Sequence, residues 1–153
     1  MKAKQSRNLL KKARNLPIAP QVGALCYRYE KGKPQVLLVT TRETGRWIIP
    51  KGWLIDGLFP HQAAEQEAWE EAGVTGDCDC AILGRYSYLK ERTGKGVILC
   101  QVDVFPVHVH NIASDFPERA ERKRKWISLK KAALRVTEPD LAEILRGFKP
   151  KSH

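Results

Sequence analysis

Residues 52–74 read GWLIDGLFPHQAAEQEAWEEAGV, and this stretch decides the fold. It opens as a loop, because Pro50, Gly52 and Gly57 interrupt regular structure. Pro60 suits the first turn of a helix. From His61 to Ala72 the chain is rich in Ala, Glu and Gln, all compatible with helix. Gly73 stands where a C-terminal glycine cap belongs. At 3.6 residues per turn Glu67, Glu70 and Glu71 share one face, spaced i, i+3 and i+4. Ala64, Ala68, Ala72 and Trp69 fall on the other side and are expected to face a core. Like charges at these spacings repel, and a divalent cation among them removes the penalty. Hard oxygen donors favour Mg²⁺, Mn²⁺ or Ca²⁺. Taken alone, clustered Glu on a surface helix is more often a solvated face. The loop before the helix adds context: glycine permits close backbone approach, and Lys51 can pair with phosphate.

Working outward, residues 21–29 are β-rich, Lys31–Pro34 is turn chemistry, and the apolar run 35–41 is expected of a buried strand. The two form a hairpin. Trp47–Ile49 is a short strand, and residues 50–58 are expected to be a loop throughout. Downstream, 80–89 and 97–109 read as strands around a Thr93–Gly96 hairpin loop, and 111–125 as polar and irregular. Trp126–Ile127 suits a last strand, with Ser128 capping a short helix through Leu134. Thr137 is expected to cap a final helix with apolar positions Leu141, Ile144, Leu145 and Phe148. This order predicts an α+β fold with a mixed sheet, organised as a basic arm over 1–18 and one domain over 19–150.

The 153-residue chain suits one core. No apolar stretch reaches the roughly 18 residues of a membrane span, and no signal-peptide core follows Met1. Net charge is +10, with Lys2, Lys4, Arg7, Lys11, Lys12 and Arg14 unopposed by any acid before residue 15. A second basic run holds Arg119, Arg122, Lys123, Arg124 and Lys125. Such fields attract nucleic acid, phospholipid or polyphosphate without choosing among them, and a solvated charged face fits each run equally well. The arm also has the composition of an organellar transit segment, although a loosely ordered or short helical arm fits better. Cys26 and Cys100 lie in apolar runs, Cys78 and Cys80 lack zinc-site spacing, and four free thiols fit a reducing cytoplasm.

The box itself resembles that of the Nudix hydrolases: Gly, five residues, Glu, seven residues, Arg-Glu-apolar-x-Glu-Glu-x-Gly-apolar. Gly52, Glu67, Ala68, Glu70, Glu71, Gly73 and Val74 match in register. Residues 46–52 (RWIIPKG) resemble the approach to the box in diadenosine polyphosphate and diphosphoinositol polyphosphate hydrolases. Glu118, Arg122, Trp126 and the stretch from Thr137 resemble Nudix C-terminal regions. Two positions depart: Leu58 stands where the family has its first Glu, and Gln66 where it has an Arg that steadies the acids.

The resemblance implies a mixed β-sheet sandwiched between helices and a phosphoanhydride hydrolase using Mg²⁺ or Mn²⁺. It implies metal ligation by Glu67, Glu70, Glu71 and the Gly52 carbonyl, with Glu70 or Glu71 accepting a proton from water. Glu118 and Glu121 are alternative bases, and surface charges suit them as well. Lys51, Arg46 and Arg42 are the candidate substrate contacts, and Trp47 or Trp53 a candidate stacking surface. His108 and His110 share one strand face, with Val107 and Val109 on the other; two His at i, i+2 could bind metal, although a solvent-facing strand side fits better, and Tyr86 and Tyr88 share this ambiguity. The favoured substrate is a dinucleoside or diphosphoinositol polyphosphate. The alternatives are removal of pyrophosphate from RNA 5′ ends, helped by the basic arm, and a catalytically weak domain binding an anionic ligand or RNA. A Ca²⁺ binder of the EF-hand type is excluded by the absence of its loop pattern.

Overall fold

The computed structural model describes residues 15–150; the basic residues of the arm up to Arg14 lie outside them. Eight strands form one mixed sheet: β1 Ile18–Glu30, β2 Lys33–Thr40, β3 Trp47–Ile48, β4 Lys51–Trp53, β5 Val74–Cys78, β6 Gly84–Arg92, β7 Gly96–Ile112 and β8 Arg124–Ser128. Among the described residues the helices are α1 Pro60–Ala72, α2 Leu129–Arg135 and α3 Pro139–Gly147. None is long and apolar enough to cross a membrane.

The central path runs β3-β2-β1-β7-β5. Strands β1 and β7 pair in parallel from Ile18↔Leu99 to Tyr27↔His108. The β1–β2 and β6–β7 hairpins are antiparallel. Alternation along each strand sends side chains to two cores. On one face Val22, Ala24, Cys26, Leu37, Val39, Phe105 and Val107 pack against Ala63, Ala64, Ala68 and Ala72 of α1. On the other, Leu25, Val36, Leu38, Val102 and Val104 pack against Ala132, Leu141 and Leu145 of α2 and α3. The sheet is therefore sandwiched between helices, as the α+β expectation required. The continuous apolar run of β2 follows from burial on both faces.

Several local expectations need correction. Residues 50–58 are not all loop, because Lys51–Trp53 pairs with β1. Strand β5 has no apolar run to mark it and forms by pairing at the β7 edge. The strand expected from 80 starts at Gly84. Strand β1 begins at Ile18, ahead of the residues 21–29 expected for it. Trp69 is half-buried at the rim, because α1 meets the sheet through alanines. The N-cap of α3 is Glu138, with no side-chain cap bond, and Thr137 is engaged elsewhere. Ser128 does cap α2, accepting from Lys131 N at 3.2 Å. The second basic run is not a uniformly solvated face, since Arg124 donates to the carbonyls of Ala72 (2.6 Å) and Ala113 (2.7 Å).

Candidate active site

The helix α1 carries the acidic residues and is held at both ends. Pro60 opens it, and Gln62 Oε1 accepts from Phe59 N at 2.9 Å. Gly73 closes it at φ 69°. A side chain there would meet the Phe116 ring at 2.6 Å. The segment from Ala113 to Lys123 docks on this end, with Ala113 N donating to Gly73 O (2.8 Å) and Glu118 N to Glu70 O (2.9 Å). Two pieces of chain distant in sequence thus bring their carboxylates together.

A cleft of about 410 Å³ lies over this junction, lined by Glu67, Glu70, Glu71, Glu118, Lys51 and Arg122 among others. Arg42, Arg46, Gly52, Trp53 and Lys90 complete its rim. Gly52 sits directly under Glu67: a Cβ at Gly52 would lie 2.3 Å from the Glu67 carboxyl carbon and 2.4 Å from Oε1. Only glycine leaves room for that carboxylate against the β4 backbone. Glu71 Oε1 accepts from Lys51 N at 3.3 Å, so the same short strand holds a second acid. Gln66 Nε2 donates to Glu70 Oε1 at 3.0 Å.

The electrostatics are those of acids withdrawn from water. Burial pushes the Glu71 carboxyl up to about 8, with Glu67 and Glu118 adding repulsion and Arg122 opposing it. Burial, reinforced by Glu70, pushes Glu67 up to about 6, and a hydrogen bond from Glu71 opposes the rise. Burial and mutual repulsion thus both disfavour having Glu67 and Glu71 charged together. The Lys51 ammonium, also withdrawn from water, is pushed down by burial. It donates to Tyr88 Oη at 2.9 Å, and Tyr88 donates to Gln21 Oε1 at 2.7 Å.

The same scaffold is recognisable in other proteins. Residues 19–148 match the NUDIX domain family. The chain belongs to the Nudix family. These hydrolases act on pyrophosphate bonds and generally need a divalent cation, commonly Mg²⁺. Nudix hydrolase 21, chloroplastic, of Arabidopsis thaliana is 35% identical over 132 residues, which are 83% of this chain and 64% of that protein's length. This chain thus spans under two thirds of that relative. Diphosphoinositol polyphosphate phosphohydrolase 3-alpha of Mus musculus is 29% identical over 133 residues, 84% of this chain and 77% of the relative. Among solved structures, the C. elegans Ap4A hydrolase shares the fold with a TM-score of 0.59 at 23% identity, covering 84% of this chain and 94% of its own.

The Nudix residues present fit a divalent cation. Two neighbouring carboxyls, the buried Glu71 and the half-buried Glu67, whose mutual repulsion a cation would offset, offer a site for one, and every donor is a hard oxygen. Among the described residues no three His, Cys, Asp or Glu side chains already close a cage around one point. Glu67, Glu70, Glu71 and the Gly52 carbonyl are the groups that could hold it.

The other candidates divide clearly. Trp53 is exposed at the cleft with Lys90 Nζ 5.3 Å from its ring centre, whereas Trp47 packs against the core. Arg46 lines the cleft but is tied to Thr137 Oγ1 (3.0 Å) and Glu138 (3.5 Å). Arg42 pairs loosely with Glu121 at 3.7 Å. Glu118 enters the cleft and Glu121 does not line it. His110 contacts Asp77 at 2.9 Å and His108 stacks on Tyr27. Neither lines the cleft. Tyr86 is buried, while Tyr88 reaches Lys51. Sequence reasoning missed the site roles of Arg122, Tyr88 and Gln21. Arg122 carried a signal, in the basic run before Trp126 and in the resemblance of Glu118, Arg122 and Trp126 to Nudix C-terminal regions, and Tyr88 one in its strand alternation with Tyr86, whereas Gln21 carried none.

Proposed function

We propose that this Nudix chain hydrolyses a phosphoanhydride of a dinucleoside or diphosphoinositol polyphosphate by water attack at phosphorus. The observation that carries this reading is the Glu67 carboxylate seated on Gly52 beside Glu71, a spot no other residue at position 52 would leave open. Glu67, Glu70, Glu71 and the Gly52 carbonyl hold Mg²⁺ or Mn²⁺, which when bound neutralises phosphate charge and makes water easier to deprotonate. Glu70 or Glu71 accepts the water proton. Lys51 keeps two ammonium donors beyond its bond to Tyr88 for phosphate oxygens, and Arg46 and Arg42 extend the cationic rim. Trp53 offers an exposed ring at the cleft for a base or an inositol face. The named relative 3-alpha and the RWIIPKG stretch support this substrate class.

The test is turnover of diadenosine polyphosphates and inositol pyrophosphates with Mg²⁺ or Mn²⁺. Glu70→Gln and Glu71→Gln are each expected to cut kcat by roughly 100-fold or more, the scale of general-base loss. Full turnover in both variants would refute the assignment. Inactivity on the whole panel would favour a domain that binds an anion without cleaving it.

A second reading has one observation behind it. The chain passes into β1 at Ile18, close to the Gln21–Trp53 pair at the cleft rim. The basic residues before position 15, which lie outside the described residues, bring six positive charges to the chain ahead of β1, which suits a longer polyanion such as an RNA 5′ end. Binding of triphosphorylated RNA is then expected to weaken steeply with salt, and a flat response would rule the arm out.

A further inference from the structure

The acids of this box lack the usual guanidinium on their own helix. Helix α1 contains no arginine, and Gln66 brings its amide to Glu70 without charge. Glu71 is held from elsewhere. Arg122, in the segment between β7 and β8, places Nη2 at 3.6 Å from Glu71 Oε2. Its Nε donates to Glu118 Oε1 at 2.8 Å, and its Nη1 donates to the Thr40 carbonyl at 2.8 Å. The Arg122 and Glu71 side chains are 9% and 6% exposed. The backbone around Arg122 is fixed as well. Thr40 N donates to Lys123 O (3.0 Å), and Lys123 N donates to Thr40 Oγ1 (2.9 Å). The fork is therefore fixed by hydrogen bonds at Nε and Nη1, and its Nη2 faces Glu71 as an ion pair.

We infer that Arg122 is the positioning residue of Glu71, its guanidinium fork supplying from the β7–β8 segment the brace that α1 lacks at Gln66. The inference rests on the reading of Glu71 as a cation ligand. Arg122 itself is cationic, which would oppose a metal ion. Its charge is matched at 2.8 Å by Glu118, however, so the local pair is close to neutral. What acts on Glu71 is an ion pair across 3.6 Å, longer than a hydrogen bond, which restrains the carboxylate on one side while leaving its lone pairs open to a ligand.

The experiment is Mn²⁺ binding to the full chain, followed by the electron paramagnetic resonance of free Mn²⁺, with turnover measured beside it. Arg122→Gln is expected to weaken Mn²⁺ binding roughly 10- to 100-fold, the usual effect of losing a group that orients a ligand. It should lower kcat with KM little changed. Arg122→Lys keeps the charge without the fork and should also bind more weakly. In a Glu71→Gln background, Arg122→Gln should change Mn²⁺ affinity little, because the two act through one another. Binding by Arg122→Gln as tight as, or tighter than, that of the unsubstituted chain would overturn the brace. So would a loss undiminished by Glu71→Gln. If the Gln variant does not fold, Arg122→Lys decides, and unchanged affinity in it overturns the role of the fork. An unsubstituted chain that binds no Mn²⁺ overturns the metal reading and this inference together, a result distinct from the others because every variant is then silent.

Discussion

Gly52 and Glu71 show how single residues govern this site. A methyl group at Gly52 would press on the free end of Glu67 rather than on backbone. Gly52→Ala is therefore expected to leave the fold intact by circular dichroism while displacing the Glu67 carboxylate. Misplacement by about 1 Å costs on the order of 100-fold in rate, so kcat should fall by about that factor. Wild-type turnover in Gly52→Ala would contradict the seat described for Glu67. Glu71 makes a prediction about pH. Its carboxyl is held up to about 8 against the usual 4.5 by burial first of all. The folded state thus favours the protonated form. The contribution to stability is whole below about 4.5 and is lost as pH rises through about 8. Glu67, raised to about 6, acts in the same direction. If Mg²⁺ binds these acids it competes with the proton, so its thermal stabilisation should grow over this window. The Tm gain from Mg²⁺ should be larger above about pH 8 than below about pH 4.5; equal gains would argue against cation binding at these acids.

At the scale of elements, α1 is a short helix whose position matters more than its stability. Alanines at 63, 64, 68 and 72 let its backbone lie close to the sheet. Its end is set by Gly73, in a left-handed conformation at φ 69° and beneath Phe116. Gly73→Ala combines an unfavourable backbone region with a contact at 2.6 Å. The cost expected is about 1–3 kcal/mol, measured by chemical denaturation. Because Ala113 N and the Arg124 guanidinium dock on this same corner, the variant should also weaken Mn²⁺ binding. A loss of stability without a loss of Mn²⁺ affinity would mean that the corner does not position the acids.

For the whole molecule, the sheet separates the site from much of the packing that stabilises it. The cleft lies over α1, β4 and the β7–β8 segment, while α2 and α3 cover the opposite face. Leu145 of α3 is fully buried in that second core. Leu145→Ala is expected to destabilise by roughly 2–5 kcal/mol yet leave the kcat of the folded fraction within about twofold, since distant sites act independently. A large fall in kcat at temperatures where the variant stays folded would show that the far layer reaches the site. Electrostatics also act at this scale. Of the net charge of +10, the arm before residue 15 supplies +6 and the remainder +4. A polyanion therefore meets a positive field before it meets any single residue.

Residues 52–74 by themselves determined the acidic helix and its glycine stop, through local spacing: i, i+3 and i+4 set a shared face, and a left-handed cap selects glycine. Their resemblance to the Nudix box pointed to the family, and the order of elements along the whole chain to the α+β class. Runs of β-favouring and apolar residues likewise revealed β1, β2, β6 and β7. What sequence spacing did not reveal was decided by tertiary pairing. Strands β4 and β5 exist because β1 and β7 offer them hydrogen-bonding edges, not because their residues favour strands. Trp69 and Thr137 took other places once alanine packing and the Arg46 contact prevailed. Arg122 was one basic residue among several until the fold brought it to Glu71, 51 positions earlier in the chain. Local sequence encodes which groups share a helix face. Only the folded chain can say which distant cation closes on them, because that contact depends on where the sheet carries the β7–β8 segment.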